Sequence, residues 1–313
     1  MALPSVELFT RMIIAKIQGG LGNQMFQYAF GRALAKKYGV TLKLDTTMFP
    51  AYKYHNLSLD KLAIEVPFAS ALEVQRFKIH RRRPDWPLKI LNPLLHNPQK
   101  YIVEKTSYFN PTELEVTPPC LVDGYWLTEK YFLDIEPLIR SEFSIRGAFN
   151  EYTRKVEEKV KSAEHPVMLH VRRMDFAHDP IMKKNHGTVS PEYYEHAIKH
   201  VLHTVSNPTF FIFSDDPAWA EANIRPEAPT EYIGQGPEWN YLDLYLMTLC
   251  EHFILANSTF GWWGAWLSKH YRNNITIMPK YMTVKMDTRD LACPGWLVFD
   301  DKSLSVTGDT VPR

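Results

Sequence analysis

Hydrophobic positions near the start of the chain change their period at a glycine-rich turn. Residues 12–17 form a short, mostly apolar run that predicts a strand, and the turn at residues 19–22 ends it. Apolar residues then recur at helical spacing, at Phe26, Ala29, Phe30, Ala33 and Leu34. Gly39 is a C-cap signal for this helix, and a second strand over 41–44 ends at Asp45. The pattern predicts a Rossmann-like βαβ unit.

The second half of the chain alternates short apolar runs with amphipathic segments. It predicts strands at residues 167–171, 209–213, 231–233, 253–255 and 275–278. It predicts helices after Ser190, an N-cap followed by proline, and at 218–223, 242–250 and 261–269. This alternation implies a parallel sheet covered on both faces.

Residues 50–137 have poor periodicity and many prolines, with a short helix predicted at 69–77. The basic run from Lys78 to Arg83 is interpreted as a solvated loop, and contact with anionic lipid or an acceptor is the alternative. With 313 residues, the chain is long enough for about two domains. We therefore predict an α/β fold of two Rossmann-like domains, 1–150 and 151–313. Ligands are expected at the carboxyl ends of the strands, in the cleft between the domains.

Charge and composition narrow the class of protein. Lys and Arg total 36 against 35 for Asp and Glu, so bulk nucleic-acid binding is not expected. No apolar stretch approaches the roughly 20 residues of a transmembrane helix, and residues 1–11 do not resemble a signal peptide. The three cysteines, Cys120, Cys250 and Cys293, are widely spaced. We expect a cytoplasmic protein without a structural metal.

The turn Gly20-Leu-Gly-Asn-Gln-Met25 is close to the dinucleotide-binding pattern G-x-G-x-x-G. Met25 replaces the third glycine, so this match is weak on its own. The turn still offers backbone N–H groups at a helix N-terminus beside the amides of Asn23 and Gln24, which could position an anion or a sugar hydroxyl. A turn that only connects strand and helix is the alternative.

Two arginines follow a predicted central strand in the segment His170-Val-Arg-Arg-Met-Asp175. Strand alternation places His170 and Arg172 on one face and Arg173 on the other. Because unpaired buried charges are costly, we expect one arginine to bind a ligand phosphate and the other to pair with a carboxylate such as Asp175. A structural ion-pair cluster is the alternative.

Two further segments reach the same predicted edge. Asp215 and Asp216 follow the next strand, and one of them is expected to cap the following helix. Ser258 and Thr259 enter a helix after another strand, where hydroxyl and N–H groups meet an anion. The tryptophans just beyond, Trp262, Trp263 and Trp266, are interpreted as core residues rather than a sugar platform. Phosphate-binding groups in one domain and polar amides in the other suit a transferase with a nucleoside diphosphate leaving group.

Two other functions stay open from these residues. Asp45 follows Gly20 by about 25 residues, as in NAD(P)-dependent enzymes, although Met25 and the arginine pair argue against that class. The 13% aromatic content is compatible with a carbohydrate-binding protein without activity. NADH fluorescence and the effect of GDP on glycan binding would separate these functions.

Four stretches together resemble the α-1,2-fucosyltransferases of bacteria and animals. They begin at Ile17 (IQGGLGNQMFQYAF), His170 (HVRRMD), Phe213 (FSDDP) and Asn257 (NSTFGWWGAWL), in the order of that family. Two positions depart from the family pattern. Met174 stands where glycine is usual and Gly261 where serine is usual.

The resemblance implies a GT-B fold and transfer of L-fucose from GDP-β-L-fucose to the 2-hydroxyl of a terminal galactose, with inversion. Another GDP-sugar-dependent glycosyltransferase is the alternative. We expect no metal or other cofactor, because no cluster of metal ligands accompanies the phosphate-binding segments. The resemblance also implies a donor site of His170, Arg172, Asp243, Ser258, Thr259 and Phe260. His170 and Asp243 would contact guanine, and Arg172 with Ser258 or Thr259 would hold the phosphates. Arg172 and Asn23 are the predicted catalytic residues, and Gly20, Gly22, Asn23 and Gln24 form the predicted phosphate or acceptor loop. Arg173 and Asp175 are the predicted structural support.

Overall fold

The computed structural model describes residues 12–52, 55–82, 100–173, 179, 184–300 and 306–307, with the backbone alone for 79–82 and 306–307. The chain divides into two compact units, Met1–Ser144 and Ile145–Arg313, close to the predicted domain boundary at residue 150. Each unit contains its own largely parallel sheet with helices between the strands. Among the described residues, no helix combines the length and apolar character needed to cross a bilayer.

The first unit is built on a four-stranded parallel sheet of order β2-β1-β4-β3. Its strands are β1 (Met12–Lys16), β2 (Thr41–Asp45), β3 (Lys100–Val103) and β4 (Cys120–Asp123). Its described α-helices are α1 (Leu21–Tyr38), α2 (Ala71–Arg82) and α3 (Glu136–Glu142). Short 3₁₀ turns lie at Phe49–Ala51, Leu59–Lys61, Pro111–Glu115, Glu129–Tyr131 and Leu133–Ile135. The predicted βαβ unit is confirmed by β1, α1 and β2.

The interpretation of the basic run as a loop is wrong for its described part, because helix α2 continues to Arg82. Val74 and Phe77 are each 2% exposed. They share an apolar cluster with Met12, Ile14 and Leu121 of the first sheet and with Ala69. This apolar contact anchors the helix that carries the basic residues. Arg83 lies outside the described residues.

The sequence did not predict β3 and β4. Each has only four residues, too few for a clear period of two. Strand β4 lies inside the sheet, paired with β1 and β3, and Cys120, Leu121 and Val122 are fully buried. Pairing with distant strands therefore fixes these two elements.

The second unit is built on a seven-stranded sheet of order β11-β10-β9-β8-β5-β6-β7, parallel except for the pair β10 and β11. Its strands are β5 (His165–Val171), β6 (Pro208–Ser214), β7 (Thr230–Ile233), β8 (His252–Ile254), β9 (Thr276–Pro279), β10 (Leu297–Phe299) and β11 (Val306–Thr307). Its described α-helices are α4 (Glu151–Ser162), α5 (Pro191–Thr204), α6 (Pro217–Asn223), α7 (Asn240–Thr248) and α8 (Thr259–Leu267), and Pro237–Trp239 is a 3₁₀ turn.

The predicted strands and helices of this half are confirmed, with ends that shift by a few residues. Helix α8 begins at Thr259 rather than 261 because the hydroxyl of Ser258 accepts a hydrogen bond from the Phe260 N–H and caps it. Strand β5 turns Val167, Leu169 and Val171 into the core that it shares with α5.

The opposite face of β5 carries Met168 and His170 toward α8. This confirms the predicted alternation at the end of β5. Trp262, Trp263 and Trp266 are at most 1% exposed and stack among themselves, so their core role is confirmed as well.

Candidate functional site

The connections of the second sheet reverse direction beside β5. The chain runs outward from β5 to β6 and β7, then returns to the other side of β5 with β8 and continues to β9 and β10. The carboxyl ends of β5 and β8 therefore flank a topological switch point, the place where open α/β sheets bind ligands. His170 lies at the end of β5, and Arg172 and Arg173 follow that strand. Ser258 to Phe260 follow β8.

Arg172 is fixed at this switch point by Asp215. The guanidinium Nη1 lies 2.7 Å from the Asp215 Oδ2, while the Asp215 Oδ1 accepts the Arg173 backbone N–H at 2.8 Å. One carboxylate thus orients the Arg172 side chain and also holds the backbone of the next residue. The sequence placed Asp215 at this edge without assigning it a role.

Arg173 points to the other face, as predicted, and has a different set of neighbours. Its guanidinium carbon lies 3.9 Å from the Trp219 ring centroid, and its Nε lies 3.9 Å from the Asp216 Oδ2. Asp216 also caps α6 by accepting the Trp219 N–H, which confirms the predicted capping role. Asp175, the predicted partner, and Met174 lie outside the described residues. The described contacts of Arg173 support helix α6.

His170 lies under the first turn of α8 with almost no exposed surface. Burial, and secondarily the positive Arg172, lowers the pKa of His170 to about 3, so the imidazole is neutral at physiological pH. A Cβ atom added to Gly261 would lie 2.5 Å from the His170 Nδ1. The glycine that departs from the family pattern is therefore the residue that leaves room for this ring.

The N-terminus of α8 presents polar groups at the end of β8. Ser258 caps the helix, Thr259 is 8% exposed, and the Phe260 ring lies 5.8 Å from the His170 ring. The first N–H groups of a helix attract anions, and hydroxyl groups there can donate to a phosphate. Phe260 thus lies beside His170, and the contact of Ser258, Thr259 and Phe260 with a donor stays a prediction.

Asn257 immediately precedes this capped turn, and the sequence did not single it out as a site residue. Its Nδ2 approaches the carbonyl oxygens of His186, Gly187 and Met282 at 3.4, 3.2 and 3.4 Å. One buried amide therefore ties two loops to the end of β8. Its place in the motif that begins at residue 257 was the signal available in the sequence.

Asp243 lies in the first turn of α7, which follows β7 at the same edge of the sheet. Burial raises the pKa of Asp243 to about 6, and the hydrogen bonds from Gln235 oppose this shift. The Gln235 Nε2 donates to the Asp243 Oδ1 at 3.0 Å, and its Oε1 accepts from the Asn150 Nδ2 and the Thr153 Oγ1. Gln235 is thus a positioning residue that connects Asp243 to the start of α4. No pattern in the sequence pointed to Gln235.

The glycine-rich turn of the first unit carries two amide side chains, those of Asn23 and Gln24, in different surroundings. Gln24 is fully buried, and its Nε2 donates to the carbonyl oxygens of Gly19 and Asn56, both at 2.8 Å. Its Oε1 accepts the Ser58 N–H at 3.0 Å. Gln24 is therefore committed to the framework of the turn, contrary to its predicted place among the ligand-contacting residues.

Asn23, Gly20 and Gly22 lie on the same turn. Gly20 is the N-cap residue of α1, and Gly22 is buried within the first turn of that helix. Asn23 is half-buried and packs over Gly19, where a Cβ atom would lie 2.8 Å from the Asn23 Nδ2. The turn holds the amide of Asn23 at the carboxyl end of β1, and its contact with a ligand stays a prediction.

A group of metal-ligand type occurs in the second unit at the other edge of the sheet. The ligand atoms of His165, Glu251 and His252 all lie within 4.8 Å of one another. These residues begin β5 and β8, and the length of β5 places them roughly 20 Å from Arg172. The His252 Nδ1 accepts the Ile275 N–H, so its Nε2 carries the hydrogen and has no lone pair for a metal while that bond persists.

The two α/β units, each with its own largely parallel sheet, have the GT-B fold. The NodZ fucosyltransferase from Bradyrhizobium has the same fold, with a TM-score of 0.52, 16% identity, and coverage of 95% of this chain and 98% of that one. Residues 10–298 match glycosyl transferase family 11, and the chain belongs to that family. The resemblance derived from the motifs is thereby confirmed, and the NAD(P)-dependent and non-enzymatic alternatives are set aside.

Two relatives illustrate the range of this family. An alpha-1,2-colitosyltransferase from Escherichia coli is 32% identical over 277 residues, which cover 86% of this chain and 91% of the relative. Galactoside alpha-(1,2)-fucosyltransferase 2 from Mus musculus is 28% identical over 258 residues, which cover 80% of this chain and 66% of the relative. Both names describe α-1,2 transfer of a sugar.

Proposed function

We propose that this protein transfers L-fucose from GDP-β-L-fucose to the 2-hydroxyl of a terminal galactose, with inversion at the anomeric carbon. The observation that carries the proposal is the Arg172 guanidinium, held by Asp215 at a topological switch point beside the capped N-terminus of α8. A guanidinium and a helix N-terminus at one sheet edge suit a diphosphate. The name of the mouse relative supplies fucose and the galactoside acceptor, and both names supply the α-1,2 linkage.

Guanine recognition is assigned to His170 and Asp243. An ionised Asp243 can accept hydrogen bonds from the guanine N1–H and the 2-amino group, whereas adenine offers no donor at the matching ring nitrogen. Neutral His170 can donate one hydrogen bond to the base. A buried polar group left unpaired by the wrong base is costly, which favours GDP over ADP.

The reaction is a single displacement through an oxocarbenium-like transition state. The bond between the acceptor oxygen and the anomeric carbon forms as the bond to the diphosphate oxygen breaks, and the acceptor hydroxyl loses its proton to a base or to water. Negative charge grows on GDP as it leaves. Arg172, together with the N–H and hydroxyl groups at the start of α8, stabilises that charge, and one preorganised donor of this kind is worth roughly 3–4 kcal/mol.

Asn23 is assigned a catalytic role on the acceptor side, with Gly20 and Gly22 shaping its turn. An amide can donate and accept at once, so Asn23 can orient the acceptor hydroxyl for the reaction. The half-buried position of Asn23 beside Gly19 supports this role, because a held side chain loses little freedom on binding. Gln24 contributes by fixing the turn.

We infer that turnover requires no divalent cation. The positive Arg172 supplies the counter-charge for the diphosphate, and the described metal-type group lies at the opposite edge of the second sheet. Full activity in EDTA is expected. Activity that is lost on chelation and restored by Mg²⁺ or Mn²⁺ would refute this part of the proposal.

We infer a cytoplasmic protein that acts on galactose-terminated oligosaccharides or glycolipids, with peripheral membrane contact through the basic run from Lys78 to Arg83. The described part of that run lies on α2, where Lys78 is exposed and approaches the buried Asp45 at 3.7 Å. Sedimentation with vesicles that contain anionic lipid tests this contact. Binding that is equal for neutral and anionic vesicles would contradict it.

The decisive experiment is an acceptor screen that compares GDP-fucose with GDP-colitose. Colitose is fucose without its 3-hydroxyl group, and the relative from Escherichia coli is named for its transfer. We expect product from GDP-fucose with galactose-terminated acceptors, and an α-1,2 linkage by NMR. Product from GDP-colitose alone would keep the reaction type and replace the donor sugar.

A further inference from the structure

The carboxyl edge of the first sheet has a switch point of its own. The chain passes from β1 to β2 on one side, whereas β4 pairs with the other side of β1. The residues that follow β1 and β4 therefore flank a second place where an α/β sheet binds ligands. The Asn23 turn follows β1 there. Asp123 ends β4, and Gly124 and Tyr125 follow it.

Asp123 is the polar centre of this edge. Its carboxylate lies 3.0 Å from the Lys16 Nζ and accepts the Tyr101 hydroxyl hydrogen bond at 2.5 Å. Lys16 and Asp123 end neighbouring strands, so the ion pair spans the switch point. A fixed carboxylate and ammonium can respectively accept from and donate to sugar hydroxyls, each of which is both donor and acceptor.

Tyr125 follows this pair in the chain, and its backbone is held by Glu104. Glu104 accepts the backbone N–H groups of Tyr125 and Trp126 at 2.7 and 2.9 Å. Gly124 permits this grip, because a Cβ atom there would lie 2.3 Å from the Glu104 Cβ. Trp126, with a left-handed φ of 49°, is fully buried and stacks on Phe30 at 4.1 Å. The backbone on both sides is thus fixed, while Tyr125 remains 39% exposed.

The surroundings of Tyr125 are polar and aromatic. Burial raises the pKa of its hydroxyl, and Tyr52, Asp123 and Glu104 raise it further, so the group remains a hydrogen-bond donor. Tyr52 lies 6.0 Å from the His55 ring, and His55 approaches Gly20 of the Asn23 turn. A partly exposed phenol ring therefore lies among hydrogen-bond donors and acceptors in the unit that carries the Asn23 turn.

We propose that Tyr125 and Asp123 form a subsite for the terminal galactoside of the acceptor at the carboxyl edge of the first sheet. The inference rests on the proposed function, which supplies galactose as the acceptor class. Because its 4-hydroxyl is axial, galactose presents an apolar face of C–H bonds that can lie on an aromatic ring, and its hydroxyls then reach the polar groups beside that ring. Glucose, with an equatorial 4-hydroxyl, lacks this face.

The test compares Tyr125→Ala and Tyr125→Phe with Phe68→Ala, an exposed aromatic of the same unit at the β2 edge. Two measurements are made: KM for lactose and for the donor, and saturation-transfer NMR of lactose and cellobiose without donor. Loss of the ring should raise the lactose KM by about tenfold or more and abolish the NMR signal, with GDP affinity unchanged. Tyr125→Phe should have a smaller effect, Phe68→Ala none, and wild type should prefer lactose to cellobiose.

The outcomes separate the two proposals. A wild type that makes no galactoside product refutes the proposed acceptor, and a lactose NMR signal that depends on Tyr125 would still support the subsite. Unchanged lactose binding and KM in folded Tyr125→Ala overturn the subsite and leave the proposed function intact. Equal losses in Tyr125→Ala and Phe68→Ala also overturn it, since they would report a general structural change.

Discussion

The carboxyl edges of the two sheets share a topology and differ in chemistry. Each edge has a switch point between a pair of parallel strands, β1 and β4 in the first unit and β5 and β8 in the second. The edge of the second sheet carries the Arg172–Asp215 pair, a neutral buried histidine and a capped helix N-terminus. The edge of the first sheet carries an amide turn, phenol rings and the Lys16–Asp123 pair.

We infer from this difference that the sheet topology determines where a ligand binds and that the side chains determine which class of ligand binds. A guanidinium and helix N–H groups stabilise a diphosphate whose charge grows during the reaction. A neutral polyol instead requires rings for its apolar face and groups that donate and accept at fixed positions. The comparison can be tested by variants that change one property of one edge at a time.

The largest expected effect is at the guanidinium of the second edge. Arg172→Ala should lower kcat about 100- to 1,000-fold because the leaving diphosphate loses its fixed counter-charge. Arg172→Lys should recover little, since a point charge does not replace a planar fork. Arg173→Ala is the matched control and should mainly lower Tm, because that side chain packs on Trp219. Near-normal turnover of folded Arg172→Ala would refute its role.

The next largest effect is expected at the neighbouring amides Asn23 and Gln24, which should differ in whether their loss changes kcat or Tm. Asn23→Ala should lower kcat about tenfold or more, with unchanged GDP affinity and Tm, because the aligned acceptor is lost. Gln24→Ala should lower Tm, because it leaves backbone groups of a buried turn unpaired. Measuring kcat, GDP affinity and Tm for both variants tests this split. Normal turnover with a depressed Tm in Asn23→Ala would assign it to the scaffold.

A smaller effect is expected from the space around His170. Gly261→Ala places a Cβ against the His170 ring and should weaken GDP binding about tenfold through displacement of that ring. Gly264→Ala is the control on the same helix, because its Cβ would instead meet Met247 in the core. It should lower Tm without a specific loss of GDP affinity. Calorimetry with GDP and thermal unfolding distinguish the two variants, and equal GDP affinities would contradict the assignment.

The smallest effect concerns Asp243, where function and stability should change in opposite directions. The folded-state pKa of Asp243, raised to about 6, exceeds its unfolded value, so ionisation of Asp243 destabilises the folded protein. This destabilisation is absent below about pH 4 and complete above about pH 6. Asp243→Asn should therefore stabilise the protein at pH 8 relative to wild type by on the order of 1–3 kcal/mol, with little change at pH 4. It should also weaken GDP binding at pH 8.

Gln235→Leu sharpens this last test. Loss of the amide donor should raise the Asp243 pKa further and shift the pH midpoint of GDP binding upward, a change that a purely structural residue would not cause. Tyr152, a titratable neighbour of Asp243, ionises only at higher pH, since burial and the negative Asp243 raise its pKa. An unchanged midpoint in folded Gln235→Leu would remove Gln235 from the positioning of Asp243.

The sequence by itself determined the class of fold, the alternation of the second half and the segments that reach its carboxyl edge. These signals are local: a period of two or of about three and a half residues, a cap before a helix, and glycines at a turn. They also placed His170 on the face of β5 opposite Val171, and one of Asp215 and Asp216 at a helix cap, because both follow from neighbours within a few residues.

Only the tertiary structure decided which side chains meet. The Arg172–Asp215 pair joins two strands, Gln235 links Asp243 to the start of α4, and Glu104 fixes the loop of Tyr125. Each of these contacts joins residues from separate parts of the chain. The sequence offers several candidate partners for each residue and does not show which of them lies close in the fold. Strands β3 and β4 were missed for the same reason, since their short apolar runs become strands through pairing with distant segments.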